Sequence, residues 1–160
     1  MNRRLIAAVS SVFVVLSLAT VALAADDPFV GTWKLNLAKS KFSPGPPPKT
    51  STITFETQGK GFKFVGDGVN AEGKAIHQEG SVKFDGKDYP VTGAGGPLDI
   101  TIAVKMIDSY TRDFVGKRGG KEGQRGQDVI SKDGKTLTRT IKGQNAQGQE
   151  YNNVLVFDKQ

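Results

Sequence analysis

Two arginines occupy strand-like runs in which every second residue is apolar. Arg112 alternates with Tyr110 and Phe114, and Arg139 alternates in the same way with aliphatic residues. A guanidinium is costly to bury unless an anion pairs with it. Two arrangements therefore stay open. Either these strands turn both arginines to solvent, or one or both arginines meet an anionic ligand group inside the protein, with Tyr110 assisting.

The residues that usually carry catalysis are scarce. His77 is the only histidine, so a histidine-based metal cluster is excluded and any serine–histidine pair must use this residue. It alternates with Glu79 and Lys83, which indicates a water-facing side. The sequence has neither a Gly-x-Ser-x-Gly elbow nor a Walker phosphate loop. We therefore expect a non-catalytic protein with no catalytic residues, no metal and no cofactor.

The elements that position these residues have a period of two, which is typical of half-buried strands. In the first run Gly31, Trp33 and Leu35 share one face, and Phe29 and Leu37 extend it. Similar runs predict strands near residues 29–37, 50–57, 61–66, 75–85, 98–107, 110–116, 127–131, 135–142 and 150–158, with a short further strand near 88–92. Short strands at regular spacing favour an all-β, antiparallel up-and-down meander of about 8–10 strands closed into a barrel, and a sandwich is the alternative.

Turn residues separate these strands. Three aspartates beside glycines are expected to stabilise turns rather than to bind calcium: Asp67, Asp85 and Asp133. Prolines occupy much of residues 43–49, which are expected to form a stiff connector, with partner docking as the alternative. The glycine-rich basic segment 116–126 lacks aromatic residues, so we expect a flexible, solvated hairpin loop and no nucleic-acid site.

The two ends of the predicted meander resemble the calycin superfamily of lipocalins and intracellular fatty-acid-binding proteins. The run from Phe29 to Leu35 contains the Gly-x-Trp of their first strand, and residues 156–159 match their last strand. The resemblance implies a lipocalin-like barrel in which Trp33 closes one end and Lys159 or Arg139 stacks across it. Residues 31–42 also resemble small exported bacterial proteins of unassigned function.

Two departures separate this chain from the fatty-acid-binding proteins. Those proteins place a helical pair after the first strand, where this chain has only residues 38–49 with several prolines. They also anchor a carboxylate through Arg-x-Tyr on the last strand, where this chain has Leu155-Val156-Phe157. The resemblance therefore does not imply a fatty-acid ligand.

The N-terminal residues indicate export. Arg3 and Arg4 precede an uncharged apolar stretch that ends in Ala-Leu-Ala at residues 22–24, as in a secretory signal peptide. We predict a signal peptide over 1–24 and a single β-barrel domain over 25–160, in the periplasm or outside the cell. Sec and twin-arginine export both stay open, and an uncleaved anchor is the alternative. No stable membrane insertion is expected after cleavage.

The bulk composition adds few constraints. The chain has no cysteine, so neither disulfides nor thiolate metal sites contribute, and its net charge of +6 is too small to imply nucleic acid. The function that these features favour is an exported, non-catalytic protein that binds a small hydrophobic, amphipathic or anionic ligand in the barrel interior. The alternative is an envelope structural or protein-interaction module with a packed core and no ligand.

Overall fold

Ten antiparallel strands account for most of the chain in this computed structural model, which describes residues 27–95, 99–145 and 148–160. The predicted signal peptide lies outside the described residues. The strands are β1 (Gly31–Leu35), β2 (Thr50–Gln58), β3 (Gly61–Val69), β4 (Ala75–Lys83), β5 (Tyr89–Ala94), β6 (Ile100–Asp108), β7 (Thr111–Arg118), β8 (Lys121–Ile130), β9 (Thr136–Gln144) and β10 (Glu150–Lys159).

The strands form a closed up-and-down barrel. Each strand pairs with the next one in sequence, and β1 closes the ring by pairing with β10 as well as β2. Trp33 lies opposite Lys159 on β10 and opposite Ile53 on β2. Closure removes the free edges that an open sheet would expose. The predicted all-β barrel is therefore confirmed, and it has the architecture that the resemblance to the calycins implied.

The antiparallel order gives the barrel two unlike ends. Odd-numbered strands begin and even-numbered strands end at the end that we call the base. Inward-facing apolar side chains pack together there and in the adjoining part of the interior: Phe29, Trp33, Phe55, Phe62, Val82, Val104, Ile130, Leu137 and Phe157. The opposite end, which we call the mouth, is bordered by polar and charged residues. The base is packed and the mouth is open.

The connection between β1 and β2 first continues along β10 in line with β1. A single turn of 3-10 helix, Leu37–Lys39, follows β1, and Leu37 is exposed there rather than continuing the inward face of the strand. Residues 42–49 form neither helix nor strand. Lys41 exchanges backbone hydrogen bonds with Val154, and the carbonyl of Ser43 accepts one from Asn152. These contacts hold the connector against β10.

Residues 116–126 form a hairpin as expected, but paired strands occupy most of the segment that was expected to be a flexible loop. β7 continues to Arg118, β8 begins at Lys121, and Gly119 and Gly120 form the tight turn between them with φ of 54° and 76°. Two positive φ angles in succession suit a two-residue hairpin. Its glycines and charged residues suggested a flexible loop, but pairing between β7 and β8 satisfies the backbone hydrogen-bonding groups of this segment.

Candidate functional site

Trp33 and Lys159 lie together at the base. The indole of Trp33 is fully buried, and its Nε1–H donates a 2.8 Å hydrogen bond to the carbonyl of Phe29. The Nζ of Lys159 lies 5.0 Å from the centroid of the indole ring. A cation over an indole face is electrostatically attracted to it. Of the two cations considered for this position, Lys159 occupies it and Arg139 does not.

Above this base, three charged side chains form a buried cluster, which we call the charged cluster: Arg112, Asp128 and Arg139. Asp128 accepts hydrogen bonds from Arg112 Nε at 3.1 Å and from Arg139 Nε and Nη2 at 2.6 and 2.7 Å. Arg112 Nη2 also lies 3.0 Å from the carboxylate. The strand register explains the meeting, because Asp128 on β8 lies directly opposite Arg112 on β7 and Arg139 on β9.

Phenylalanine rings surround Arg112 within the cluster. Its Cζ lies 4.1 Å from the ring centroid of Phe29, 4.2 Å from that of Phe55 and 4.5 Å from that of Phe62. Only 2% of the Arg112 side chain is exposed, and its Nη1 has no hydrogen-bond partner among the residues that the structure describes. The aromatic faces offset part of the cost of burying the charge, but they do not supply the missing hydrogen-bond acceptor.

The cluster carries one more positive than negative charge. Burial opposes ionisation of Asp128, but the charges and hydrogen bonds of Arg139 and Arg112 outweigh this effect and hold the pKa of Asp128 below its usual value. Burial lowers the pKa of Arg112, whereas Asp128 raises that of Arg139 in spite of burial. Arginine nevertheless stays protonated in proteins. Asp27 also stabilises the charge of Arg112, from beyond ion-pair distance.

A cavity of about 270 Å³ lies beside the charged cluster, on its mouth side. All three cluster residues line it, and apolar side chains form most of the remaining wall, among them Phe55, Phe64, Phe114, Ile102, Ile141 and Leu155. Arg139 is the accessible member of the cluster, with 19% of its side chain exposed against 1% for Asp128. Its Cζ lies 5.1 Å from the Phe114 ring centroid. The cavity is therefore aromatic and aliphatic, with a guanidinium in its wall.

Gly66 on β3 opens part of this cavity. A Cβ atom at Gly66 would meet only the Gln78 carbonyl, at 3.8 Å, whereas one at the nearby Gly68 would come within 2.5 Å of the Thr50 carbonyl. Both glycines line the cavity. A side chain added at Gly66 would therefore fill space inside the barrel without striking the backbone.

A larger polar space of about 1240 Å³ lies at the mouth. Gln78 lines both this space and the cavity, so the two adjoin. The Tyr151 hydroxyl donates a 2.9 Å hydrogen bond to Gln124 there. Burial raises the pKa of Tyr151, and the nearby charge of Arg118 acts in the opposite direction.

The structure places Tyr110, which was expected to assist the arginines, away from the cavity. This residue lies in the turn between β6 and β7, is 44% exposed and does not line the cavity. Its backbone N–H donates to Asp108, and its carbonyl accepts from the N–H of Ile130. The alternation that brings Arg112 and Phe114 inside begins with β7 at Thr111, so it does not extend to Tyr110.

His77 and the three turn aspartates lie away from the cluster. His77 is half-exposed, and its Nδ1 lies 2.7 Å from Asp67 on the neighbouring strand. Asp67 belongs to β3 and not to a turn as expected, and it is one of the residues that line the cavity. Asp85 and Asp133 do lie in turns and accept backbone hydrogen bonds from Lys87 and Lys135. In the described part of the chain no group of three or more metal-binding side chains occurs, and no helix is long and apolar enough to cross a bilayer.

Asp128 is the site residue that sequence reasoning missed. The available sequence signal is that Asp128 alternates with Gly126 and Ile130, so it shares a strand face with an apolar residue. The arginines were expected to meet either solvent or a ligand, yet their first partner is a carboxylate of the chain itself. Recognising it required the register of three strands.

Comparisons with known proteins concern the fold. No protein-family model and no curated protein matches the chain. Among solved structures, the chain is similar to zebrafish ileal bile acid-binding protein complexed with cholic acid, with 13% identity over 83% of this chain and 99% of that one and a TM-score of 0.48. It is also similar to the redesigned β-barrel mFAP1 bound to DFHBI, with 12% identity over 82% and 95% and a TM-score of 0.40.

Proposed function

We propose that this protein binds one small amphipathic anion in the barrel interior. The ligand's anionic group lies against Arg139, and its apolar body lies among the aromatic and aliphatic side chains of the cavity wall. The observation that carries the proposal is the buried excess of one positive charge beside an apolar cavity. Nε and Nη2 of Arg139 already donate to Asp128. A ligand carboxylate would therefore accept two parallel hydrogen bonds from Nη1 and the second hydrogen of Nη2, the fork that remains.

Burial and hydrogen bonding both favour an anion at this position. The charged cluster is still short of an acceptor, since Arg112 Nη1 has none in the described residues, and buried polar groups are normally hydrogen-bonded. An added anion would balance the cluster's charge where charge interactions are strong. The cavity volume lies just below the range of about 300–1,000 Å³ for pockets that hold drug-sized ligands, so the ligand is small.

We also propose that the protein acts outside the cytoplasm and without catalysis. Export is supported by the basic start, apolar stretch and Ala-Leu-Ala sequence of residues 1–24. A non-catalytic role is supported by the placement of the only histidine on the outer wall, against Asp67, and by the engagement of Asp128 with two arginines. N-terminal sequencing of protein recovered from its host should begin at Ala25, and an intact Met1 would contradict export by cleavage.

Binding is tested with two fluorescent probes that share an apolar body but differ in charge, anilinonaphthalenesulfonate and phenylnaphthylamine. The anionic probe should bind about tenfold more tightly, which corresponds to about 1.4 kcal/mol. Arg139→Gln should remove most of this preference. Gly66→Leu should exclude both probes by filling the cavity, whereas Val65→Leu, a control that enlarges the outward-facing side chain of the preceding residue, should not.

The outcomes separate the proposal from its alternative. Equal affinity for both probes would refute the anionic ligand. Uptake of neither probe, together with native mass spectrometry that shows no added small molecule on protein from its host, would favour an interaction module without a ligand. Circular dichroism of each variant establishes that it is folded before its binding is interpreted.

A further inference from the structure

The inward-facing side chains form three layers between the base and the mouth. The charged cluster is the innermost layer. The next layer is apolar and contains Phe64, Phe114, Ile102, Ile141 and Leu155. On the β7–β10 side the outermost layer is polar and contains Arg118, Gln124 and Tyr151, whereas on the β2–β4 side the cavity itself extends to Val69 and Asn70 at the mouth. An amphipathic ligand with one anionic group would leave its apolar end in this polar outer layer if it filled the whole depth.

The strand geometry gives the distance between the two polar layers. Asp128 belongs to the inner layer and Gln124 to the outer layer, and both lie on β8, four residues apart. The bulge of β8 lies beyond Gln124, so it does not interrupt the strand between them. At about 3.3 Å per residue, the two layers are about 13 Å apart. A chain of tetrahedral carbons with bonds of about 1.5 Å advances about 1.3 Å per bond, so about ten atoms span this distance.

The outer layer is positive. Arg118 ends β7 two residues beyond Gly116; it is exposed, it lines the mouth, and its charge acts on Tyr151. Lys121 and Lys142 also line the mouth, and none of these three cations forms an ion pair within the parts of the chain that are described. Two other mouth cations are already paired, Lys117 with Asp88 and Arg125 with Glu122. The available cations favour a second anionic group at this level.

From this layering, and resting on the proposed interior binding function, we infer that the ligand is anionic at both ends. It is a dianion, such as an α,ω-dicarboxylate, with an apolar body of about ten atoms. One carboxylate binds Arg139 at the charged cluster, the chain crosses the apolar layer, and the second carboxylate binds Arg118 at the mouth. The extra cation at the mouth thus selects for the second charge, and the separation of the layers selects for length.

Isothermal titration calorimetry with saturated mono- and dicarboxylates of matched length tests this inference. Decanedioate should bind about tenfold more tightly than decanoate, as expected for one added charge-assisted interaction. Hexanedioate should show no such advantage over hexanoate, because its second carboxylate does not reach the mouth. Arg118→Gln should reduce the advantage of decanedioate to less than about threefold. Lys83→Gln removes an exposed cation near the base and serves as the matched control, which should leave the advantage intact.

The failures of this inference and of the proposed function give different results. If decanoate binds as tightly as decanedioate or more tightly, or if Arg118→Gln keeps the full advantage, the second anion site is wrong and the interior site for one anion stands. If neither acid binds but anilinonaphthalenesulfonate does, the ligand class inferred here is wrong. If neither the acids nor the probe binds, the proposed function itself fails.

Discussion

The substitution Asp128→Asn tests the energetics of the charged cluster directly. Among the described residues, it removes the one carboxylate that contacts both Arg112 and Arg139, and it directs an amide N–H₂ or a single oxygen at two guanidinium groups. The lost contacts are the 3.0 and 3.1 Å contacts to Arg112 and the 2.6 and 2.7 Å contacts to Arg139. Removing one partner of a buried ion pair costs about 3–5 kcal/mol. Because two cations lose their partner here, we expect a loss of about 5 kcal/mol in the free energy of unfolding.

A loss of this size is measurable, because domains have a total stability of about 5–15 kcal/mol. Urea unfolding followed by the emission of Trp33, the only tryptophan, reports on the base of the barrel. The matched variant replaces the whole cluster by apolar residues of similar size: Arg112→Met, Asp128→Leu and Arg139→Met. Apolar replacement of a buried ionic cluster is often neutral or stabilising by about 1–4 kcal/mol. We therefore expect this triple variant to be at least as stable as the original protein and unable to bind anions.

Two results would refute this reasoning. A loss below about 1 kcal/mol for Asp128→Asn would mean that water solvates the arginines. The cluster would then not be desolvated, contrary to what its low exposure indicates. A triple variant as unstable as the single one would mean that the charges are needed for the fold itself.

Two further predictions concern acid stability and the base. The folded-state pKa of Asp128 lies below its ordinary value, mainly because of Arg139 acting against burial. Its stabilising contribution is therefore complete above about pH 4 and is lost as the pH falls through the folded-state pKa. As the pH is lowered from 7 to 3, the urea midpoint should decrease more for the original protein than for the triple variant. Equal decreases for the two proteins would contradict this. Lys159→Met keeps the aliphatic stem but removes the cation over Trp33. The free energy of unfolding from urea titration should therefore decrease by about 0.5–1 kcal/mol. An unchanged urea midpoint would exclude a cation–π contribution.

Period-two alternation predicted the strands well because it reflects a local property, the opposite directions of successive side chains. The boundaries were less accurate. The strand expected near residues 98–107 is β6, Ile100–Asp108, and the segment expected to be a loop at 116–126 is the β7–β8 hairpin. Glycines and charges dominate that segment, so its strand character depends on backbone pairing with neighbouring strands. Tyr110 shows the same limit, since it lies one residue before β7 begins and belongs to a turn.

By itself, the sequence determined the fold class and the faces of the strands. Alternating apolar residues and hairpin turns suffice for an antiparallel barrel, and they place Arg112 and Arg139 on apolar faces. The tertiary structure alone decided how those arginines are paired. Asp128 lies 16 residues from Arg112 and 11 residues from Arg139 in sequence, and it meets both because three strands align in one register. Trp33 and Lys159, near opposite ends of the described chain, likewise meet only because closure pairs β1 with β10. Alternation specifies which way a side chain points, whereas the hydrogen-bond register between strands specifies which side chains it meets.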